Sequence, residues 1–587
     1  MVRGTWLLVA LPLLLAAFAV ARPQPLPPPT LPPAFDAVVA EQLARELTSS
    51  YPDRSPGSAG GLGAADWVSE QLERYGYTPP QVDRFTARIP GRGRVGLQNL
   101  VAVVPGASDR IIVITAHRDN TGESRGANDN ASGTAALIEL ARAYAPTTGT
   151  AGTTPSHTLV FVSTDGGAFG ALGAARFAES SNYRDNALAV ISLDAVAGFG
   201  PPRLLTAGDT ARSPAAALVR TAAARVLEQS GREPVHESAL RQLLDLGFPF
   251  TLGEQGPFVA RGIPALTLTT VPDAPSAEFA DDRLSPERLG ELGRAAQNLV
   301  GSLDAGLELA QGTTSYVYLG TRIVRGWTIE LVLLAALLPF LIGAIDLFAR
   351  CRRRRIPLAA AALSLRSRLL FWGFAGAAVV VAGKLGALPH GEARPLPPDA
   401  GVYTPSPILL ALLAALLFAA WLVNREHLIP RRPATPEETL AGHTVSLLGL
   451  ALLALLVVAT NPFSLVYVLP SLYAWLWLPQ AQDRPRLARG VLLLLGFAGP
   501  AILVLSFATR FQLGLETPWY LLSLVTVGFV PWTAVLLAVI WCAVAAQLTA
   551  LAADRYAAYA PARARGPRPP LRLVRRATQD ERQALEG

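Results

Sequence analysis

Cysteine, lysine and methionine are almost absent from this chain of 587 residues. It contains two cysteines, Cys351 and Cys542, one methionine, and a single lysine at position 384. Both cysteines lie in or beside apolar stretches, so neither a disulfide framework nor a cysteine-based zinc site is available. Any metal site must therefore use histidine, aspartate or glutamate side chains.

Charged residues are also scarce. They make up 16% of the chain, against 51% hydrophobic residues, and the mean hydropathy is +0.33. One ordinary soluble domain does not have this composition, and the 10 tryptophans and 21 phenylalanines argue against disorder. The composition therefore requires a membrane part.

The net charge of +7 is unevenly distributed. Residues 327–587 carry 24 basic and 13 acidic residues, whereas residues 1–326 carry 27 and 31. The N-terminal part is therefore mildly acidic, and the basic character belongs to the C-terminal part.

The first residues have the pattern of an export signal. Residues 1–22 are interpreted as a signal peptide or an uncleaved anchor, because an apolar run follows Arg3 and ends in small residues. Residues 23–34 are proline-rich and predict a stiff linker. Both interpretations of the N-terminus place the following domain outside the cytoplasm.

Residues 35–320 alternate helical patterns with short apolar runs, which predicts a single α/β domain. The expected sheet is mixed, mostly parallel and flanked by helices. The expected strands are 99–104, 111–115, 159–163, 189–193 and 265–268. The expected helices include 65–75, 133–144 and 286–303.

Residues 327–553 contain repeated apolar stretches of spanning or near-spanning length, which predict a bundle of about seven transmembrane helices. The expected spans are 327–349, 369–388, 408–423, 439–459, 464–478, 490–508 and 520–548. The last run carries Pro531, so it is either one kinked helix or a re-entrant piece followed by a span.

Arginine placement gives an independent prediction of topology. Every second loop between the expected spans is rich in arginine, as is the tail of residues 554–587. Basic loops face the cytoplasm, so we expect an integral protein of the cell or inner membrane with a cytoplasmic tail and an exported α/β domain. This topology accounts for the basic residues, and we expect no nucleic-acid partner.

Acidic side chains and a histidine follow two of the expected strands. His117 and Asp119 end one strand, Asp129 lies in the loop before the next helix, and Asp194 ends another strand. Such a set can direct an imidazole and carboxylates at one cation, and Asp119 can hold the His117 ring from behind. Spacing alone fits equally well with a helix-capping Asp129 and a buried His117 that binds nothing.

A family resemblance favours the metal. Residues 51–303 resemble the exported zinc aminopeptidases with two co-catalytic metals, of the bacterial leucyl aminopeptidase and aminopeptidase Y type. Glutaminyl cyclases and the nicastrin and nicalin ectodomains are similar to that group. The matching segments are 54–58, 65–67, 99–106, the His117 and Asp129 segments, 158–161, 170–173, 193–194, 256–258 and 262–265.

The resemblance implies that His117 and Asp194 each hold one metal and that Asp129 bridges to a second. Where the family has two adjacent glutamates, the general base and a ligand of the second metal, this chain has Gly167 and Ala168. The remaining ligands all belong to one metal position. We therefore expect one zinc ion at most.

The family's last histidine ligand is missing as well, since residues 267–289 contain no histidine. Asp165, two residues before the missing base, is the candidate substitute for it. The other acids that could reach the vacant side are Glu254, Glu278, Asp281 and Asp282.

Two functions follow from these residues. The first is a membrane-anchored metallopeptidase of aminopeptidase type that hydrolyses exported peptides. The second is a non-catalytic binding or assembly module of peptidase fold, in which the chain holds a polypeptide ligand and its spans contact other membrane proteins.

Overall fold

The computed structural model describes residues 19–145, 154–273, 283–306, 312–395, 397–398, 407–428 and 433–554. The expected signal peptide or anchor therefore lies outside the described residues up to position 18, and the basic tail does so from position 555. Residues 20 and 21, at the end of the expected signal, form a short strand.

Within the described residues, strands occur at ten positions. These are β1 Val20–Ala21, β2 Gln81–Ile89, β3 Gly93–Val104, β4 Ser108–His117, β5 His157–Thr164, β6 Ala187–Leu193, β7 Arg203–Leu205, β8 Ala265–Thr269, β9 Tyr316–Leu319 and β10 Arg322–Arg325. All five expected strands are present, each a residue or more longer than its apolar run.

Helices cover most of the remaining described chain. In the N-terminal part they are α1 Ala37–Ser50, α2 Ala59–Arg74, α3 Gly133–Ala143, α4 Leu172–Ser180, α5 Ala216–Ser230, α6 Ala239–Gly247, α7 Gln255–Ala260 and α8 Pro286–Ala305. In the C-terminal part they are α9 Gly326–Arg353, α10 Ala359–Lys384, α11 Pro407–Leu428, α12 Pro436–Thr460, α13 Leu465–Leu476, α14 Arg486–Leu495, α15 Ala498–Phe511, α16 Thr517–Thr526 and α17 Trp532–Ala552.

A mixed, mostly parallel sheet of seven strands organises the N-terminal part. Its order is β2-β3-β5-β4-β6-β8-β7. The four central strands β5, β4, β6 and β8 run parallel, and the strands at both edges are antiparallel to their neighbours. A separate antiparallel sheet of order β1-β10-β9 leads directly into α9. The fold class expected from the sequence is therefore correct.

The alternation of side chains along β4 explains how this sheet is covered. Ile112 and Ile114 pack with residues of α1, α3, α5 and α8 on one face. Ile111 and Val113 pack with residues of α4 and α7 on the other. Because both faces are buried, the central strands are continuous apolar runs rather than alternating ones.

The described C-terminal part contains five helices that are long and apolar enough to span a membrane, namely α9, α10, α11, α12 and α17. A sixth candidate is the pair α14 and α15, which is bent by 50°. These findings indicate a membrane protein.

The expected count of about seven spans exceeds what the described residues contain. The run at 464–478 forms α13, whose 12 residues reach only about 18 Å, short of the about 30 Å hydrocarbon core. The last run is divided by Pro531, which precedes the first residue of α17, so only α17 qualifies there.

The two parts of the chain meet at what we call the interdomain joint, formed by α6 and the segment 248–252 against the ends of membrane helices. Helix α6 offers its last carbonyls to the C-terminal part: Asn461 donates to Leu246 at 2.8 Å and Ser464 donates to Gly247 at 2.6 Å. These contacts satisfy carbonyls that a helix leaves unpaired at its end.

Phe250 is the apolar centre of the joint. It is fully buried, and its ring centroid lies 5.1 Å from that of Phe507, 5.6 Å from Phe511 and 5.7 Å from Phe529. All three contacts are edge-to-face, the geometry that aromatic rings prefer. Phe250 of the α/β domain therefore fills a pocket of aromatic rings from the C-terminal part, which we call the aromatic socket.

Arg510 supplies the charged half of the joint. It donates from Nε to the Asp273 carbonyl at 2.8 Å, forms an ion pair with the Asp273 carboxylate, and lies 3.5 Å from an oxygen of Asp245. Asp273 also accepts from the Leu252 amide at 2.9 Å. The arginine thus links a membrane helix to two separate segments of the α/β domain.

Replacing the socket residue tests whether this joint stabilises the whole chain. We expect Phe250→Ala to cost about 3–5 kcal/mol, because it leaves a cavity among aromatic rings that are already packed. The measurement is the midpoint of thermal unfolding of the purified full chain in detergent. Leu240→Ala is the matched control, since Leu240 lies on α6 but is 65% exposed. Equal midpoints for both variants would contradict the role of Phe250.

Candidate metal centre

The candidate site lies at the carboxyl ends of neighbouring parallel strands. His117 is the last residue of β4, and Asp194 directly follows β6. Asp129 lies in the segment Ala127–Ser132 that precedes α3, at a kink where its own backbone is non-helical, with φ −113° and ψ 95°. Since β4 and β6 are adjacent and parallel, their ends bring His117 and Asp194 to one edge of the sheet.

Asn130 fixes the turn that carries Asp129. Its side-chain amide donates to the Leu193 carbonyl at 2.9 Å, and its oxygen accepts from the amides of Gly133 and Ala195, each at 3.0 Å. These partners belong to α3 and to the end of β6. The Asp129 and Asp194 segments are therefore held together by one buried asparagine.

Arg54 also holds the loop that carries Asp129. Its fully buried guanidinium donates to the carbonyls of Arg118 at 2.8 Å, Arg125 at 2.9 Å and Gly126 at 2.9 Å. A buried arginine that donates to backbone carbonyls shapes a loop without entering it. Sequence reasoning gave Arg54 no functional role, although it belongs to the first matching segment of the family resemblance.

The three candidate ligands converge. Atom Nε2 of His117 lies 3.3 Å from Oδ1 of Asp129 and 3.4 Å from Oδ1 of Asp194. One ligand atom from each residue lies within 4.8 Å of the others, and no second group of this kind occurs in the described ranges. Tetrahedral zinc with ligands about 2.1 Å away separates its ligand atoms by about 3.4 Å, so the donor set fits one zinc ion.

Exposure differs across the cluster. The side chain of His117 is 5% exposed, that of Asp194 20% and that of Asp129 59%. The site is therefore closed on the histidine side and open to solvent at Asp129.

Asp119 holds the His117 ring from behind. Atom Nδ1 of His117 lies 3.1 Å from the Asp119 carbonyl oxygen and 3.4 Å from its Oδ1. With its proton on Nδ1, the ring presents Nε2 to the centre as a metal ligand requires. Burial lowers the pKa of His117, but the hydrogen bonds to three carboxylates outweigh it, so the pKa lies well above its usual value and a metal ion that binds at Nε2 would displace a proton there.

The Asp119 carboxylate is itself fixed by backbone groups at the position of the missing glutamates. It accepts from the amides of Gly167 at 2.8 Å and Ala168 at 3.1 Å. Gly167 and Ala168 therefore contribute to the centre through their backbone amides. These amides orient the Asp119 carboxylate, and Asp119 in turn orients the His117 ring.

The backbone at Gly167 passes directly against the His117 ring. A Cβ atom at position 167 would lie 2.2 Å from Cγ of His117, which is closer than two such atoms can approach. No side chain fits there unless the ring moves. The His117 ring therefore occupies the space that a side chain at position 167 would need.

Asp165 lies outside the metal-type cluster. Its carboxylate forms an ion pair with Arg118 at 3.0 Å and accepts from the amides of Gln98 at 3.1 Å and Gly166 at 2.9 Å. Burial raises its pKa, against the nearby arginine. The role of Asp165 as a substitute base stays a prediction, and these partners do not support it.

Glu254 is held by hydroxyl groups of the central strands, and its role on the vacant side of the site stays a prediction. It is buried and accepts hydrogen bonds from Thr115 at 3.1 Å, from Ser192 at 3.0 Å and from Thr164. These hydroxyls belong to β4, β6 and β5, so one carboxyl joins three strands, and burial raises its pKa. The other acids named from the sequence, Glu278, Asp281 and Asp282, lie outside the described residues.

Comparison with protein families gives a match over residues 99–300 to the model described as peptidase family M28. Leucine aminopeptidase 1 of Arthroderma gypseum is 30% identical over 123 residues, which is 19% of this chain and 33% of that protein. A probable zinc metalloprotease of Leptosphaeria maculans is 28% identical over 272 residues, which is 39% of this chain and 58% of that protein. The chain thus spans between a third and three fifths of these two relatives.

Solved structures that are similar to this chain include two enzymes. Acidobacteriales bacterium glutaminyl cyclase is 19% identical, with 48% of this chain and 99% of that chain covered and a TM-score of 0.37. The aminopeptidase from Aneurinibacillus sp. strain AM-1 is 16% identical, with 46% and 93% covered and a TM-score of 0.37.

Removing the carboxylate behind His117 tests the arrangement of the centre. We expect Asp119→Ala to weaken zinc binding by about 10–100-fold, because the ring then loses its orientation. Zinc titration of the purified full chain measures this, with Asp109→Ala as control for an exposed acid on the same strand. Unchanged zinc affinity in Asp119→Ala would exclude the proposed orientation of His117.

The close contact at Gly167 gives a second prediction. We expect Gly167→Ala to cost about 1–3 kcal/mol in stability and to weaken zinc binding, because the added methyl group displaces the His117 ring. Gly96→Ala is the matched control, since a Cβ at position 96 meets nothing within 4 Å. If both variants unfold and bind zinc like the parent chain, the ring does not pack on residue 167 as described.

Proposed function

We propose, from the premise that residues 99–300 form a domain of peptidase family M28, that this protein is anchored in the membrane and binds exported polypeptides at a single metal ion. The metal ligands are His117, Asp129 and Asp194. The observation that carries the proposal is the contact between the His117 ring and the backbone of Gly167, which leaves no room for a general base at that position.

A zinc ion at this site supplies a Lewis acid that polarises a peptide carbonyl group. The chain's own residues orient the metal ligands and leave access for the peptide. Asp119 keeps the proton on Nδ1 of His117, so that Nε2 stays available as a ligand. The carboxylate of Asp129 is exposed, so the site is open to solvent on this side. A carbonyl group or a terminal amine of a peptide approaches the metal from there.

Proton transfer is the step for which the described residues offer no partner in the cluster. Hydrolysis needs a group that takes a proton from the attacking water, and a positioned base contributes about 10²–10⁴-fold in rate. Asp165 is paired with Arg118, and Glu254 accepts hydrogen bonds from three hydroxyl groups. Binding without efficient turnover is therefore the function that this geometry favours.

Slow hydrolysis at the same metal is the second candidate. The exposed edge at Asp129 favours it, because water has access to the ligand cluster. The names of the relatives, leucine aminopeptidase and zinc metalloprotease, support the same reaction class. In this case the substrate is a peptide with a free N-terminus.

The proposal also includes the side of the membrane on which the ligand cluster lies. Five apolar helices support anchoring in a membrane, and the alternation of arginine-rich loops supports a cytoplasmic tail. With that orientation the ligand cluster lies outside the cytoplasm. Polypeptides in that compartment, including those of neighbouring membrane proteins, are the expected ligands.

Metal content and peptide binding together test this function. We expect the purified full chain to bind one equivalent of zinc and to bind a labelled peptide library in a zinc-dependent manner, without releasing amino acids. We expect His117→Ala to lose both the zinc and the peptide binding. His157→Ala is the matched control, because His157 faces Asp304 at the opposite end of the sheet.

The alternative outcomes are distinct. Release of an aminoacyl reporter that disappears in His117→Ala would replace the binding function with hydrolysis. Two equivalents of zinc would mean that further residues complete a second metal position. Peptide binding that persists in His117→Ala would show that the metal does not mediate it.

A further inference from the structure

A crevice of about 400 Å³ lies between the tip of the β2–β3 hairpin and the segment that follows α10. This volume lies in the range of small-ligand sites. The crevice shares no residue with the candidate metal centre. Its polar and aromatic lining comes from three places: Arg88 and Arg94 on the hairpin, His390 after α10, and Trp519 on α16.

The hairpin is firmly attached to the segment after α10. The amide of Arg88 donates to a carboxylate oxygen of Glu392 at 3.1 Å, and the amide of Glu392 donates back to the Arg88 carbonyl at 3.2 Å. The guanidinium of Arg88 lies 2.8 Å from Nε2 of His390. The crevice is therefore a built junction between two parts of the chain.

Two positive charges face each other in this crevice. Arg88 and Arg94 are directly opposite in the antiparallel pairing of β2 and β3, so their side chains leave the same face about 5 Å apart. Like charges in this position destabilise a hairpin. An anion between the two guanidinium groups would remove that cost.

The described part of the chain supplies no such anion. None of the residues that line the crevice is acidic, and neither Arg88 nor Arg94 forms an ion pair with a described carboxylate. Glu392 uses an oxygen for the Arg88 backbone amide. The two guanidinium groups thus have unused capacity for a phosphate-type ligand, which arginine binds through paired N–H groups.

The crevice lies at the level where a lipid headgroup would be found. It begins two residues beyond Lys384, the last residue of the candidate span α10. Trp519 lies in the first turn of α16, beside the same crevice. Lysine and tryptophan at the ends of apolar helices are typical of the layer between lipid headgroups and acyl chains.

We propose that this crevice binds the phosphate group of an anionic membrane lipid, between Arg88 and Arg94, with Trp519 beside the glycerol part. The inference rests on the membrane anchoring proposed above. Its effect is to fix the hairpin, and with it the edge of the seven-stranded sheet, at the membrane surface on the side of the α/β domain.

The test uses the full chain in nanodiscs that contain phosphatidylcholine with or without phosphatidylglycerol. Native mass spectrometry counts the phosphatidylglycerol molecules that stay bound after release from the disc. We expect the double variant Arg88→Ala/Arg94→Ala to bind phosphatidylglycerol about 30-fold more weakly, and Arg94→Gln about 5-fold more weakly. Arg84→Ala is the matched control, because Arg84 is exposed on the same strand outside the crevice, and we expect no change.

Several outcomes would overturn the proposal. Equal retention of phosphatidylglycerol by the parent chain and the double variant would do so, as would equal retention of phosphatidylcholine and phosphatidylglycerol by the parent chain. Displacement of the lipid by inorganic phosphate alone would assign the crevice to a soluble anion instead. Failure of the chain to enter nanodiscs would contradict the membrane anchoring and is seen before any lipid is counted.

Folding of the variants is checked separately. In lipid-free detergent we expect the double variant to unfold at the parent midpoint or above it, because the repulsion between like charges is gone. Should the double variant unfold early, Arg94→Gln decides in its place, since Arg94 lacks the contact with His390 that Arg88 makes.

Discussion

The close packing of the His117 ring against the backbone of Gly167 is the constraint on which the candidate metal centre depends. Only glycine allows this approach, because a Cβ atom would lie 2.2 Å from the ring. The same approach brings the amides of residues 167 and 168 to the Asp119 carboxylate, which in turn holds Nδ1 of His117. Ring, carboxylate and backbone therefore form one unit, and a glutamate at 167 would disrupt that unit before it could act as a base.

The loop that carries Gly167 also belongs to the contact between the two parts of the chain. Phe169 is buried in an apolar cluster that includes Phe250 of the interdomain joint and Phe507 of the membrane helices. The next residue, Gly170, offers its carbonyl to Arg394 of the C-terminal part at 2.7 Å. The family resemblance of the sequence implies that this loop bears the base and a ligand of the second metal in the related enzymes. Here the same loop packs against the membrane part, which gives a physical reason for apolar and small residues in place of two glutamates.

Much of this arrangement could be predicted from the sequence, because the signals are local. Apolar runs that end in His117 and before Asp194 predicted the strands and the sheet edge, and the spacing of Asp129 before a helix predicted its loop. Contacts between distant segments left no such signal. Nothing near Asp165 indicates that Arg118 would engage it, and nothing near Phe250 indicates a socket of rings from residues 507–529. The described residues contain fewer candidate spans than expected for a similar reason, since hydropathy alone does not reveal that α13 ends after 12 residues.

Arg510 shows how the membrane part and the floor of the metal centre are connected. Burying a guanidinium with Asp245 and Asp273 has a large desolvation cost, which only well-placed partners offset, and removing one partner leaves a buried charge unpaired. The guanidinium of Arg510 therefore tolerates little displacement from its two carboxylate partners. Asp273 accepts a hydrogen bond from the amide of Leu252, which lies two residues before Glu254. Glu254 in turn accepts hydrogen bonds from the three strands whose ends carry the candidate centre. A shift of α15 that moved Arg510 would thus act first on the segment 252–254 and through it on the strand ends that position His117 and Asp194.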